Sequence, residues 1–272
     1  MKNFLNFLSR AYMALILIFL YAPIAVLVVF SFNSTNSRTV WSGFSTEWYL
    51  KLFHNSEVIN SFYTTILVSI LAALLATILG TMAAIGFNNL SQKWRAPLMT
   101  INNIPMTNAD IVTGVSLCLL FVAASSFTGL RLGFVTLLIA HITFNVPYVI
   151  LSVMPKLRQL DRNLVDAALD LGCTRFQAFW KVILPEIKSG IFNGMLIAFT
   201  MSIDDFIISY FTAGSSVQTL AMTIFSMTRR RVTPEINALS TILFATVLCL
   251  LLFVNIRSSV QEKKLHQARK NI

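Results

Sequence analysis

Charge is scarce in this chain: Asp, Glu, Lys and Arg supply 12% of its 272 residues, about half the ~25% of a soluble domain. With 56% of residues hydrophobic, that scarcity excludes an ordinary water-soluble globule. Cysteine is nearly absent as well. Cys118 and Cys249 fall in apolar stretches and Cys173 in a basic loop, so neither a disulfide framework nor a Cys/His metal site is expected, and all three read as small packing residues. None of the ten glycines begins a G-x-x-x-x-G-K-[ST] loop, which leaves no cradle for phosphates and no expectation of a catalytic residue or a bound cofactor. No internal duplication is evident, and this disfavours an inverted-repeat secondary transporter. No A-x-A-like cleavage site follows Phe32, and the first uncharged run exceeds the usual 7–15-residue core of a signal peptide, so that run is expected to stay as an anchor.

What the chain has is long uncharged gaps. A charge at the bilayer centre costs roughly 2.5–3.5 kcal/mol on the mildest scale. No Asp, Glu, Lys or Arg lies between Arg10 and Arg38, Glu57 and Lys93, Arg131 and Lys156, or Glu235 and Arg257. Two more gaps, Arg95 to Arg131 and Lys188 to Arg229, are interrupted only by Asp110 and by Asp204-Asp205. Each is long enough for the ~20 residues of a crossing helix. The expected fold is all-α, with six transmembrane helices centred near residues 22, 75, 115, 143, 202 and 246. With both termini inside, the inner segments hold fifteen Lys and Arg residues and the outer ones six (Arg38, Lys51, Arg131, Arg229, Arg230 and Arg231), so N-in/C-in is favoured. The net charge of +10 thus follows from topology and gives little reason to invoke nucleic acid.

Charge and composition divide the chain into an N-terminal anchor helix with an outer-surface connector (1–59), a core of five spans (60–258) that includes a basic loop (156–188), and a basic cytoplasmic tail (259–272). From Thr46 the apolar positions Trp48, Tyr49, Leu52 and Phe53 recur at helical spacing, which predicts a short helix lying on the outer surface. Gly190, Gly194 and Ala198 recur every four residues and allow close helix approach, within the bundle or at a dimer seam. Pro23, Pro105 and Pro147 each remove a backbone donor, so kinks are expected near them, with Pro105 at an irregular entry to the third span.

Between Lys156 and Lys188 the pattern changes to a compact helical hairpin. Asp161 can cap a first helix that places Leu164, Ala168 and Leu171 on one face. Gly172 falls where that helix must turn. Thr174-Arg175-Phe176-Gln177 makes a capping box for a second helix, which Pro185 is expected to limit before the fifth span. A basic helix-turn-helix can enter DNA, but this one is short, has no third helix and is tethered at both ends to the bilayer. Ala167 and Ala168 beside a glycine turn suit insertion into a partner's groove.

Asp166-Ala167-Ala168, Gly172 four residues later and Leu184-Pro185 beyond it resemble the EAA signature of binding-protein-dependent ABC importer permeases, the MetI-like family. Asp166 stands where that family usually has Glu, and Val182 where Ile is usual. Further local matches resemble the spermidine/putrescine permeases, nearest the PotC type: Tyr21-Ala22-Pro23, Trp48-Tyr49, Pro105 through Asp110-Ile111, His141-Ile142-Thr143-Phe144, Ser202-Ile203-Asp204-Asp205 and Pro234-Glu235-Ile236. The resemblance implies a multi-pass protein of the bacterial cytoplasmic (inner) membrane that imports polyamines by alternating access. It implies that Asp166, Ala167, Ala168, Gly172, Leu184 and Pro185 couple the chain to an ATPase dimer, where ATP and Mg are bound. A homologous second permease and a soluble extracytoplasmic polyamine-binding protein are the other implied partners. An importer of another small cationic or neutral solute is the first alternative, and a stand-alone secondary transporter the second.

Asp110, Asp204 and Asp205 are the formal charges inside the expected spans, and such residues usually face a cavity or a partner. At ~1.5 Å per residue Asp204 lies about 24 Å beyond Lys188, toward the outer half of the bilayer. Neighbours on a helix point about 100° apart, so one of Asp204 and Asp205 is expected to line the path and the other to make a structural contact. Asp110, with Asn108, can instead cap a helix restarting after Pro105. Tyr210 and Tyr148 can offer ring faces to an ammonium group. His141, alone on an apolar span, reads as a hydrogen-bonded packing residue, and Arg229-Arg230-Arg231 as a solvated face or an acidic receptor's contact.

Overall fold

The computed structural model describes residues 2–35, 37, 40–230, 234–249 and 251–252, and it is helical nearly throughout. In chain order the helices are α1 (Lys2–Phe30), α2 (Glu47–His54), α3 (Ser56–Asn89), α4 (Gln92–Thr107), α5 (Asp110–Thr128), α6 (Phe134–Gln159), α7 (Arg162–Asp170), α8 (Arg175–Ala178), α9 (Leu184–Asp204), α10 (Ile207–Thr212) and α11 (Leu220–Arg230), followed by α12 (Pro234–Cys249). Among the described residues five helices are long and apolar enough to cross a membrane: Leu8–Phe30, Ser56–Asn89, Asp110–Thr128, Phe134–Gln159 and Arg175–Asp204. The shorter α12 is apolar too. All six expected centres fall within helices, in α1, α3, α5, α6, α9 and α12, but residue 202 stands at the end of its span and not at the middle: the fifth span begins at Arg175 and ends at Asp204. It starts earlier because Lys181, Glu186 and Lys188 lie on its exposed side, where charge needs no burial.

Two compact units are distinguished, residues 1–59 with 223–250 and residues 60–222 with 251–272. In the first unit α1 buries none of its most apolar stretch, as a helix surrounded by lipid or by another subunit requires. The connector after α1 closes on a buried asparagine. The Asn33 amide donates to Val40 O (2.9 Å) and Ser37 O (3.1 Å), its Oδ1 accepts from Ser42 N (2.9 Å), and its carbonyl accepts from Trp48 Nε1 (2.7 Å). The surface helix expected after Thr46 is present as α2, which buries Trp48 and Leu52 and leaves Phe53 outside. Arg229 lies over the Phe225 ring at 5.1 Å, whereas Arg231 and the tail 259–272 fall outside the described residues.

The second unit is built on α6, packed between α3 and α9. Val149, Ile150, Val153, Met154 and Leu157 of α6 share one buried cluster with Ala73, Ala76 and Ala84 of α3 and Ile187 and Ala198 of α9. The small-residue stripe Gly190, Gly194 and Ala198 is therefore used inside the bundle. A Cβ at Gly190 would meet Ser152 O and Lys156 Cγ at 2.9 Å, and one at Gly194 would meet Val149 Cα at 3.2 Å. Overpacking typically costs ~1–3 kcal/mol, so Gly190→Leu is expected to lower the thermal midpoint of the purified protein. Gly86→Leu, at an exposed site with nothing within 4 Å, is the control; equal midpoints for the two variants would contradict the packing.

The four prolines expected to kink or limit helices stand within or just inside them. Helices α1 and α6 run through Pro23 and Pro147 without interruption. Helix α4 continues past Pro105 to Thr107, and the irregular residues are Asn108 and Ala109. Pro185 does not separate the hairpin's second helix from the fifth span, because a π-helical turn, Phe179–Ile183, widens the backbone just ahead of it. The wide turn moves the preceding carbonyls away from the proline ring, and Leu184 N bonds to Phe179 O.

Candidate functional site

The hairpin forms from local chemistry. Asp161 Oδ1 accepts from Asn163 N at 3.0 Å and starts α7. Leu171 N and Cys173 N return to the carbonyls of Ala167 and Ala168, and Gly172 takes φ +84° between them, a value that costs glycine little. The capping box then starts α8, with Gln177 N donating to Thr174 Oγ1 (3.3 Å) and Thr174 N donating to Gln177 Oε1 (3.0 Å). Ala168 and Ala178 are buried, which fixes the two short helices against each other and the bundle. Of the three residues expected on one face of the first helix, Ala168 is buried and Leu164 and Leu171 are exposed. Leu171 is 86% exposed, Phe176 72%, Trp180 53% and Leu164 48%, so the hairpin presents an apolar rim outward. Asp166 and Ala167 are exposed beside it, Leu184 is half-buried and Pro185 is exposed.

Behind the hairpin lies a polar cleft of about 1020 Å³ lined by Asn88, Gln92, Arg95, Arg158, Asp166 and Ile183, among others. Arg95 closes the end of α3 by donating from Nη2 to Asn88 O (2.9 Å) and Leu90 O (3.0 Å).

At the other end of the fifth span the two aspartates part company. Asp204 is the last residue of α9 and is exposed. Asp205 has extended backbone and a side chain only 9% exposed. Its Oδ1 accepts from Ile208 N (3.2 Å), and its Oδ2 accepts from Ser209 N (2.7 Å) and Ser209 Oγ (2.8 Å), so the carboxylate satisfies the first free amides of α10. His141 of α6, 1% exposed, has Nδ1 2.5 Å from Ser202 Oγ and Nε2 3.0 Å from Ser209 Oγ, with Asp205 Oδ2 at 3.5 Å. Further along α10, Thr212 O accepts from Thr136 Oγ1 at 2.8 Å.

Asp110 opens the first turn of α5 but is not its cap, which is Ala109. A carboxylate there meets the positive end of the helix dipole. Asp110 is exposed and close enough to Tyr148 to act on it electrostatically. Tyr210, 50% exposed, packs its ring against Phe206 and Phe211, both at 5.6 Å. Among the described residues no group of three His, Cys, Asp or Glu side chains is arranged to hold a metal.

Sequence reasoning passed over Ser202 and Ser209. Ser209 stands four residues after Asp205, the spacing at which a carboxylate can reach a helix amide, and that was the available signal. The His141 contacts span 61 and 68 residues and left no local trace.

Among the described residues, a bundle of long apolar helices with a hairpin at one face and a carboxylate at a broken span has the architecture of a membrane permease. The chain belongs to the binding-protein-dependent transport system inner membrane component family, which matches residues 76–267. It is 40% identical over 240 residues to the putrescine transport system permease protein PotI of Escherichia coli (strain K12), covering 84% of this chain and 83% of that one. It is 37% identical over 244 residues to the spermidine/putrescine transport system permease protein PotC of Haemophilus influenzae, covering 90% and 93%. Among solved structures it resembles a bacterial ABC transporter involved in the import of the acidic polysaccharide alginate, with a TM-score of 0.75 at 16% identity over 95% of this chain and 96% of that one. That transporter is also known in complex with an alginate-bound periplasmic protein. An inward-facing MetNI methionine ABC transporter gives a TM-score of 0.62 at 15% identity, covering 75% of this chain and 95% of that one. The fold is thus the MetI-like permease bundle of ABC importers, and the chain is a multi-pass component of the inner membrane.

Proposed function

We propose that this chain is a membrane-spanning half of an ATP-driven polyamine importer, oriented with both termini inside, and that it passes spermidine or putrescine inward by alternating access. The observation that carries the cationic substrate is the broken fifth span. Helix α9 ends at Asp204, so its unpaired carbonyls and the exposed carboxylate offer negative charge at one point. The C-terminal end of a helix favours cations, and discontinuous transmembrane helices use such ends to meet charged solutes. A chain carrying several ammonium groups is complementary to that site, while the alginate and methionine transporters indicate that the bundle alone does not choose the solute. Polyamine permeases at 37–40% identity support the choice. Tyr210 and Asp110 complete the assigned pathway.

The hairpin is the docking element for an ATPase dimer, which would hold ATP and Mg. Exposed Ala167 admits close approach, Ala168 packs beneath it, and the rim of Leu171, Phe176 and Trp180 supplies apolar area to bury. A second, homologous permease and a soluble polyamine-binding receptor complete the system. Purification through this chain from its native membrane is expected to bring down a second permease and an ATPase. Expressed alone it is expected not to accumulate radiolabelled spermidine. Robust uptake without any ATPase would favour a secondary transporter instead.

A further inference from the structure

We infer that His141 is a positioning residue: with Ser202, Ser209 and Asp205 it fixes the break in the fifth span and so sets where the Asp204 carboxylate points. The inference rests on the pathway reading of Asp204 and adds the device that holds that group in place.

A helix that stops at residue 204 and restarts at 207 is free to swivel unless something ties both pieces. Helix α6 ties both. His141 meets Ser202, two residues before Asp204, through one ring nitrogen and Ser209, on α10, through the other. Thr136, five residues earlier on α6, holds the far end of α10 at Thr212. The hydrogens of the chain can be assigned by counting donors. Ser209 has one hydroxyl hydrogen, and it goes to the Asp205 carboxylate at 2.8 Å. Ser209 Oγ must then accept from Nε2–H, and because a ring only 1% exposed favours the neutral form, Nδ1 is the acceptor for the Ser202 hydroxyl. Ser202 to His141 to Ser209 to Asp205 is therefore a directional relay in which each hydrogen meets an acceptor and the imidazole carries no charge.

Such a relay is a costly way to fill space. Hydrogen bonds between helices in a membrane contribute modestly, whereas a partly satisfied buried network is worse than an apolar one. What the relay supplies is direction: it defines one geometry for the break, and with it one placement for Asp204 on the opposite, exposed side of the helix end.

The test uses the assembled importer in proteoliposomes with loaded receptor. His141→Leu is expected to lower maximal polyamine uptake about tenfold, the scale of one or two lost hydrogen bonds, while the KM for loaded receptor stays unchanged. His141→Gln, which keeps a donor toward Ser209, is expected to restore most of the rate. In an Asp204→Asn background, His141→Leu is expected to cause no further loss, because the group it places is already gone. Multiplicative losses would overturn the inference. A second readout does not depend on transport. With Cys118, Cys173 and Cys249 replaced by serine, Asp204→Cys is labelled from outside by a membrane-impermeant cationic thiol reagent, and adding His141→Leu is expected to change the labelling rate severalfold. Equal rates would overturn the positioning role even if Asp204→Asn proved silent, an outcome that would remove only the pathway reading. If His141→Leu does not assemble, Ser209→Ala breaks the relay with little change of volume and is read by the same two measurements.

Discussion

Replacing Gly172 by valine is expected to leave the protein inserted and assembled with its partners while cutting the polyamine moved per ATP hydrolysed by at least about tenfold. Nothing lies within 4 Å of a Cβ at this position, so the substitution meets no clash. The cost is conformational. At φ +84° an L-residue pays roughly 1–2 kcal/mol, and a β-branched one is a steric outlier there. The turn relieves that strain by moving to negative φ, and α7 then swings relative to α8. The docking surface loses its shape while the bundle keeps its packing. Gly172→Asn, which tolerates the left-handed region, is expected to remain coupled. Parallel measurement of ATP hydrolysis and uptake in proteoliposomes decides the matter, and a normal ratio in the valine variant would remove the docking role.

Asparagine at the two neighbouring aspartates is expected to produce opposite defects. Asp204→Asn leaves an exposed helix end intact and removes a charge, so assembly should be normal and polyamine uptake should fall by an order of magnitude or more. Asp205→Asn keeps the shape and removes an acceptor. Both Asp205 oxygens receive hydrogen bonds, and an amide nitrogen in either place would face a donor across the same gap. An orphaned buried donor costs about 1–3 kcal/mol, so this variant should show a lowered thermal midpoint and a reduced yield of assembled complex. Normal uptake by Asp204→Asn, or unchanged stability of Asp205→Asn, would sink the respective half of the assignment.

The bundle was legible because a membrane punishes charge, and the gaps between charged residues are therefore a map of the spans. The hairpin was legible because its determinants are local: Asp161, Gly172, Thr174 and Gln177 each act within four residues of their partners. The end of the fifth span was hidden, since the apolar stretch resumes after Asp205 and runs on to Arg229, and no proline or glycine stands at residues 204–206 to announce a break. The contacts at the break are tertiary: α6 offers Thr136 to Thr212 and His141 to Ser202 and Ser209, where Asp205 caps the next piece. The same holds for Pro185, whose usual effect is absorbed by a widened turn that no residue pattern declares. The stripe of Gly190 and Gly194 was readable as a close contact, but the choice of α6 as its partner required the fold.

That widened turn has a mechanical meaning. Because Pro185 interrupts nothing, residues 175–204 make a single rod of 30 residues, about 45 Å from end to end. Its lower tip belongs to the hairpin and its upper tip carries Asp204. A continuous helical path thus joins the hairpin to the carboxylate, with no loop between them. The rod bears most closely on α6 at Gly190 and Gly194, where the absence of side chains lets the two backbones approach.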